Sequence, residues 1–296
     1  MRAFAHDVFT YPLPAGHRFP LGKYRMVREA AERMPGVEVA DAEAATWEQL
    51  RRTHRDDWVE RVRDGRLERR EELALGLPWS PQLVERSRRA TGATIAASYA
   101  ALEDGVAMNL GGGTHHAFAS VGRGFCVFND VVTAIRDVRA SGRARRMLVV
   151  DVDVHQGDGT HSLLAGDADA FTLSVNGFRN YPFRRVPGDV DVDLPDDTGD
   201  ERYLTELERA LPGALRRARP DLCYVLAGAD PYEGDRLGRL ALSKAGLHER
   251  DVLVRATLAQ AGVPVCVTLA GGYAEDIRDT VEINLGTVRV FSASRS

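Results

Sequence analysis

Five short, largely apolar runs, residues 106–110, 147–154, 170–175, 222–227 and 263–269, alternate with stretches whose apolar side chains recur at helical spacing. Runs of this kind need a sheet covered on both sides, and strands separated by helices make that sheet parallel. The helical stretches carry matching punctuation. Ser80 before Pro81 is a capping residue followed by proline at the first helical position, opening a helix that runs towards Leu102. Val127, Val131, Val132, Ile135 and Val138 share one face of a second helix, which stops near Gly142. Leu204, Leu207, Leu211 and Leu215 mark a third, which Pro212 is expected to kink or end. No internal repeat, low-complexity tract or long linker divides the 296 residues, so one doubly wound α/β domain over residues 1–296 follows. Its ligand crevice belongs beyond the carboxyl ends of the strands.

Composition narrows the class of partner. A net charge of -4 gives no bulk attraction to nucleic acid. No apolar run nears the ~18 residues that span a bilayer, and the opening Met1-Arg2-Ala3-Phe4-Ala5-His6-Asp7 lacks the apolar segment of a signal peptide. Cys126, Cys223 and Cys266 lie far apart, and the last two sit inside apolar runs, which reads as small buried side chains rather than disulfide partners. A cytoplasmic protein without nucleic-acid or membrane partners is the expectation.

Chemistry gathers where the runs end. The first leads into Gly111-Gly112-Gly113-Thr114-His115-His116, and the second runs through Asp151-Val152-Asp153-Val154-His155-Gln156-Gly157-Asp158-Gly159. Two more end in Gly228-Ala229-Asp230 and Ala270-Gly271-Gly272-Tyr273. If the second run is strand throughout, Asp151, Asp153 and His155 point the same way. Carboxylates and an imidazole on one face of an apolar strand are costly unless a cation or hydrogen-bond donors meet them. With Asp230 arriving from another strand end, two carboxylates and a histidine with an open position suit catalytic zinc, and the ligand count also suits iron(II). A histidine of the pair His115-His116 acting as general base needs a partner to fix its tautomer, and Asp151 and Asp158 are spare carboxylates for that task. Tyr273, a phenol at a polar crevice, is a candidate oxyanion donor.

These motifs together resemble the zinc-dependent histone deacetylase superfamily. The resemblance also takes in Gly124-Phe125-Cys126, Asn129-Asp130, Val59-Glu60-Arg61-Val62 and Tyr11-Pro12-Leu13-Pro14-Ala15-Gly16-His17, and runs in order from about residue 10 to residue 285. The short chain, Gln156 where many relatives carry a second histidine, and Glu233-Gly234-Asp235-Arg236-Leu237-Gly238 look most like the class IV deacetylases and their bacterial homologues.

The resemblance implies a three-layer arginase/deacetylase fold with a mostly parallel sheet of about eight strands flanked by helices. It implies one Zn2+ per chain on Asp153, His155 and Asp230, with His115 and His116 supported by Asp151 and Asp158 respectively. Tyr273 is implied as the transition-state donor, and Gly124 and Phe125 as lining an acyl-lysine channel. A K+ ion near Asp151, Asp153, His155 and Ser174 is implied as well. The activity implied is removal of an acetyl or other acyl group from an amine, with acyl-lysine in proteins foremost. Acetylpolyamines, other small N-acyl amides and long-chain acyl-lysines are the alternatives. The sequence departs from the family pattern at Thr114, where relatives often have a bulky residue, and at Ala270, where glycine is commoner. Gln156 adjoins a ligand and is expected to tune the hydrogen bonding around it.

Overall fold

A computed structural model of the chain describes residues 1–293 apart from 9, 10, 12 and 15, so Pro12 and Ala15 of the N-terminal motif lie outside the described residues. Eight strands, β1 (Arg2–Ala5), β2 (Glu38–Asp41), β3 (Val106–Asn109), β4 (Met147–Asp151), β5 (Ala170–Gly177), β6 (Val190–Leu194), β7 (Leu222–Leu226) and β8 (Val265–Thr268), form one sheet. Their order is β2-β1-β3-β8-β7-β4-β5-β6, and every neighbouring pair is parallel. The helices are α1 (Gly22–Ala31), α2 (Trp47–Arg51), α3 (Asp56–Arg63), α4 (Arg69–Leu75), α5 (Pro81–Asp104), α6 (Asp130–Ala140), α7 (Asp158–Leu164), α8 (Asp200–Ala218), α9 (Lys244–Gln260) and α10 (Ile277–Ser292).

The apolar runs are the central strands, and their side chains alternate between two cores. Leu148 and Val150 join Val225, Val265 and Val267 beneath residues of α8, α9 and α10, including Leu211, Val254 and Phe291. Met147 and Val149 join Leu222, Tyr224 and Cys266 on the other face, under Ile95 of α5 and Ile135 of α6. Burying a side chain of this size is worth about 1.5–3 kcal/mol, which is why such strands take the centre of the sheet. The two edges, β2 and β6, are the strands that the apolar pattern alone passes over. In β6 the order Val190-Asp191-Val192-Asp193-Leu194 alternates because one face meets solvent.

Helix boundaries follow their caps. The Ser80 hydroxyl accepts from the Leu83 N–H at 3.0 Å to start α5, and Gly105, at φ 85°, ends it. Asn129 Oδ1 accepts from the Val132 N–H at 3.0 Å, so α6 starts at Asp130 and Val127 packs ahead of the helix rather than on it. Pro212 does not end α8, which continues to Ala218. The bond it forgoes belongs to the carbonyl of Glu208, an exposed residue whose oxygen can turn to water. Among the described residues no helix is long and apolar enough to cross a membrane.

One buried imidazole ties the start of α6 to the loop before it. His54 Nε2 accepts from the Asn129 N–H at 2.9 Å, so the ring proton is on Nδ1, which donates to the Phe118 carbonyl at 2.9 Å. Burial lowers its pKa to about 4. The unfolded chain therefore takes up the proton first, and stability is full above pH 6.5 and falls as pH drops towards 4. Between pH 8 and pH 5 this group should remove about 2 kcal/mol. Urea unfolding of the wild type and of His54→Asn at both pH values should differ by that amount. Equal pH dependence in the two proteins would mean that His54 is not held neutral.

Candidate active site

The central neighbours β3, β8, β7 and β4 are the strands whose carboxyl ends carry the polar motifs. The segments after them bring His115 and His116, Gly271 to Tyr273, Asp230, and Asp153 with His155 over one end of the sheet, where parallel α/β sheets bind ligands. A correction applies to β4, which stops at Asp151 rather than reaching Val154. Carboxylates capture the amides that would extend it: Asp153 N–H donates to Asp151 Oδ1 (3.2 Å), Val154 N–H to Asp230 Oδ1 (3.0 Å) and His155 N–H to Asp153 Oδ1 (2.9 Å). Asp153 and His155 thus sit on a bent segment, not on one face of a strand.

Asp153, His155 and Asp230 each present a ligand atom, all within 4.8 Å of one another. His155 Nδ1 lies 3.0 Å from Asp153 Oδ1 and 3.2 Å from Asp230 Oδ2. Gly271 N–H holds Asp153 Oδ2 at 2.8 Å, and a Cβ at Gly271 would stand 2.0 Å from Asp230 Oδ2, so the backbone can approach this closely only as glycine. Among the described residues neither carboxylate forms an ion pair with lysine or arginine. Burial and the Asp153 charge raise Asp230 to about 7. Burial opposes charge on His155, but the two carboxylates outweigh it and raise the ring to about 10. Two carboxylate oxygens and one imidazole nitrogen, buried and converging, are a donor set that fits a divalent zinc-type ion.

Beside this triad, His115 Nδ1 is 2.7 Å from Asp151 Oδ2 and His116 Nδ1 is 2.6 Å from Asp158 Oδ1. The two rings stand 4.1 Å apart, centre to centre. Burial works against charge on His115, but Asp151 and Asp153 prevail and raise it to about 9. Burial and the neighbouring His115 bring His116 down to about 4. One imidazole is thus cationic and its neighbour neutral near pH 7, and the neutral one can accept a proton.

Tyr273 is set by Asp235, whose Oδ2 accepts the Tyr273 N–H at 2.6 Å while Oδ1 accepts from Leu237 and Gly238. Burial, with Asp230 and Asp153 nearby, pushes its phenol pKa well up, so the hydroxyl keeps its proton and remains a donor. Gly124, at φ 52°, has no room for a side chain, since a Cβ would meet His116 Cδ2 at 2.6 Å. Phe125 packs on Phe19 and Tyr273 at 5.3 and 5.8 Å. These groups open on one cavity of about 670 Å³, lined by His115, His116, Gly124, Phe125, Asp153, His155 and Tyr273 among others. Asp230 is fully buried behind it.

Several further residues hold the site, some of them without a local signal. Arg250 looks like part of a charged helix face but is fully buried, and its Nη1 donates to the carbonyls of Gly228 (2.6 Å) and Val152 (3.3 Å), just ahead of Asp230 and Asp153. Lys23, one of two lysines in the chain, donates from Nζ to Ala270 and Gly272 at 3.3 Å beneath the Tyr273 turn. Asp130 Oδ1 and Oδ2 take the N–H groups of Thr114 and Gly113 and so fix the turn before His115. Tyr181 lies edge-on to His116 at 4.8 Å. Gln156 differs from expectation: its amide donates to Asp191 and its oxygen accepts from Val186, so it braces the β5–β6 connection instead of a ligand.

Comparison with known proteins agrees with this geometry. The family model for the histone deacetylase domain matches residues 17–284. An uncharacterized protein of Picosynechococcus sp. is 39% identical over 281 residues, 93% of either chain. Histone deacetylase 2 of Arabidopsis thaliana is 36% identical over 203 residues, 66% of this chain but 52% of that protein. A probable deacetylase of Methanothermobacter thermautotrophicus is 30% identical over 210 residues, 66% of this chain and 61% of its own length. In fold, the chain superposes with a TM-score of 0.85 on an HDAC homolog crystallised with SAHA, at 23% identity, covering 100% of this chain and 84% of that one. A parallel sheet with these four strand ends, matched by the domain model along nearly its whole length, makes this chain a member of the histone deacetylase family.

Proposed function

We propose that the chain is a zinc-dependent amidohydrolase that removes an acyl group from an amine, with acyl-lysine in proteins as its substrate class. The observation that carries this reading is the convergence of the Asp153–His155–Asp230 triad, two histidine–carboxylate pairs and Tyr273 on one cavity. Bound by the triad, zinc supplies a Lewis-acid charge for the amide carbonyl and the attacking water. His116, neutral and oriented by Asp158, takes the proton from the water and returns one to the leaving amine. His115, held by Asp151, supplies positive charge beside it, and the two titrate as a coupled pair. The Tyr273 hydroxyl donates to the oxyanion of the tetrahedral state. Gly124 and Phe125 form the wall along which the lysine stem would lie. We extend the proposal to K+ near Asp151, Asp153, His155 and Ser174, where the β4–β5 register sets Asp151 opposite Ser174.

The sign of charge in the cavity separates acyl-lysine from acetylpolyamines. Four arginines line it, against one acid, Asp153, which belongs to the triad; Arg179 and Arg239 pair with Asp196, while Arg18 and Arg86 have no carboxylate partner among the described residues. A polyamine carrying further ammonium groups meets like charge there, although the chain as a whole carries a net charge of -4. Steady-state hydrolysis by zinc-reconstituted protein decides, using lysine peptides with acetyl, butyryl, octanoyl and myristoyl groups beside acetylputrescine and acetylspermidine. Turnover of acyl-lysine peptides is expected. Hydrolysis confined to the acetylpolyamines would replace this reading with the other.

A further inference from the structure

Arg86 is an unusual lining residue. It is 5% exposed, yet among the described residues it has no carboxylate partner and its Nε–H donates to no acceptor. Its guanidinium lies over two other lining rings, 4.4 Å from the centre of Tyr24 and 5.2 Å from that of Phe19. Other arginines around it are paired: Arg28 with Asp41 and Arg89 with Glu85. Lys23, on the same Tyr24 ring at 5.2 Å, adds a second buried cation, which donates to the carbonyls of Ala270 and Gly272. The same cavity is lined by Phe183 and Arg239, by His116 and Tyr273, and by Arg86, Ala90, Thr114 and Ala270. Its volume of about 670 Å³ exceeds the needs of an acetyl-lysine side chain and suits a larger ligand. A buried arginine without a counter-charge is a carboxylate receptor, because its planar donors match that group and water is largely excluded.

We infer that Arg86 receives the distal carboxylate of a dicarboxylic acyl group, so that succinyl- or glutaryl-lysine is a preferred substrate. The inference rests on the deacylase reading and names its acyl class. Hydrolysis would break the amide C–N bond, join the oxygen of water to the acyl carbon and leave its protons on the nitrogen, releasing the dicarboxylate and free lysine. An uncharged acyl chain of equal length leaves the guanidinium buried and unmet, which is the stronger ground for discrimination.

The test compares one lysine peptide carrying acetyl, butyryl, succinyl and glutaryl groups, with the zinc-loaded wild type, Arg86→Met and Arg86→Lys. In the wild type kcat/KM for succinyl or glutaryl should exceed that for butyryl at least tenfold. That ratio should fall by about a hundredfold in Arg86→Met and partly recover in Arg86→Lys. Turnover of acetyl and butyryl peptides without the dicarboxylyl ones would overturn the inference and leave the deacylase reading standing. An unchanged ratio in Arg86→Met, or an acetate inhibition that Arg86→Met abolishes without any dicarboxylyl turnover, would overturn it too. If no peptide is hydrolysed, the underlying reading fails, and calorimetry with free glutarate still decides the site. Binding lost in Arg86→Met upholds Arg86 as a dicarboxylate receptor; equal binding or none overturns that role as well.

Discussion

Asp230→Asn is expected to empty the metal site without unfolding the chain. Asp230 is fully buried, its Oδ1 accepts the Val154 N–H, and its Oδ2 belongs to the ligand set. An amide keeps the shape and the Oδ1 acceptor but removes the anionic ligand. Turnover should fall by roughly three decades or more, since the charge stabilisation a catalytic metal supplies is worth several kcal/mol. Two effects on stability oppose each other in the metal-free protein. Burial and the Asp153 charge raise the Asp230 carboxyl to about 7, a cost that the amide relieves at pH 8, while His155, raised to about 10 by the two carboxylates, loses one of them. At pH 8 the metal-free variant and metal-free wild type should therefore melt close together. Mass-spectrometric metal counting would read below a tenth of the wild-type zinc. A variant that retains zinc and activity would remove Asp230 from the site.

Tyr273→Phe should have the second-largest effect and leave zinc and fold in place. The side chain is positioned by its own backbone, through the bond to Asp235, rather than by its hydroxyl, so deleting the oxygen leaves the ring where it is. A single oxyanion donor contributes roughly 3–4 kcal/mol, or two to three decades of kcat. KM should change little, because the oxyanion exists only in the transition state. Zinc content and melting temperature equal to wild type, with kcat reduced to that extent, is the outcome expected. Near-normal kcat would take the tyrosine out of the mechanism.

The sheet and the strand ends were legible because fully buried strands are apolar on both faces and stop abruptly at Gly, Asp or His. Where carboxylates compete with the ladder the reading overshot, as at β4, whose continuation gives its amides to Asp151, Asp153 and Asp230. The edge strands β2 and β6, and β1 beside β2, escaped it for the opposite reason. β1 and β2 are 4 residues each, and β6 alternates with aspartates. Candidates for the reacting side chains could be named from sequence since each lies at or just beyond a strand end. Their supports could not, since Arg250 reaches from α9 to carbonyls of Gly228 and Val152, and Lys23 from α1 to Ala270 and Gly272. Such contacts join distant segments through backbone oxygens, which every residue carries. The positive lining of the cavity was equally hidden, because a net charge says nothing of where the arginines cluster.

The proposed function requires one zinc ion on the Asp153–His155–Asp230 triad for deacylation. Metal-stripped protein, titrated with zinc while hydrolysing an acyl-lysine peptide panel that includes acetyl, succinyl and glutaryl groups, tests it most directly. Turnover should rise in proportion to bound zinc and level off at one ion per chain. Activity indifferent to stripping, a plateau that needs two ions, or a zinc-filled protein that hydrolyses none of the peptides would contradict it.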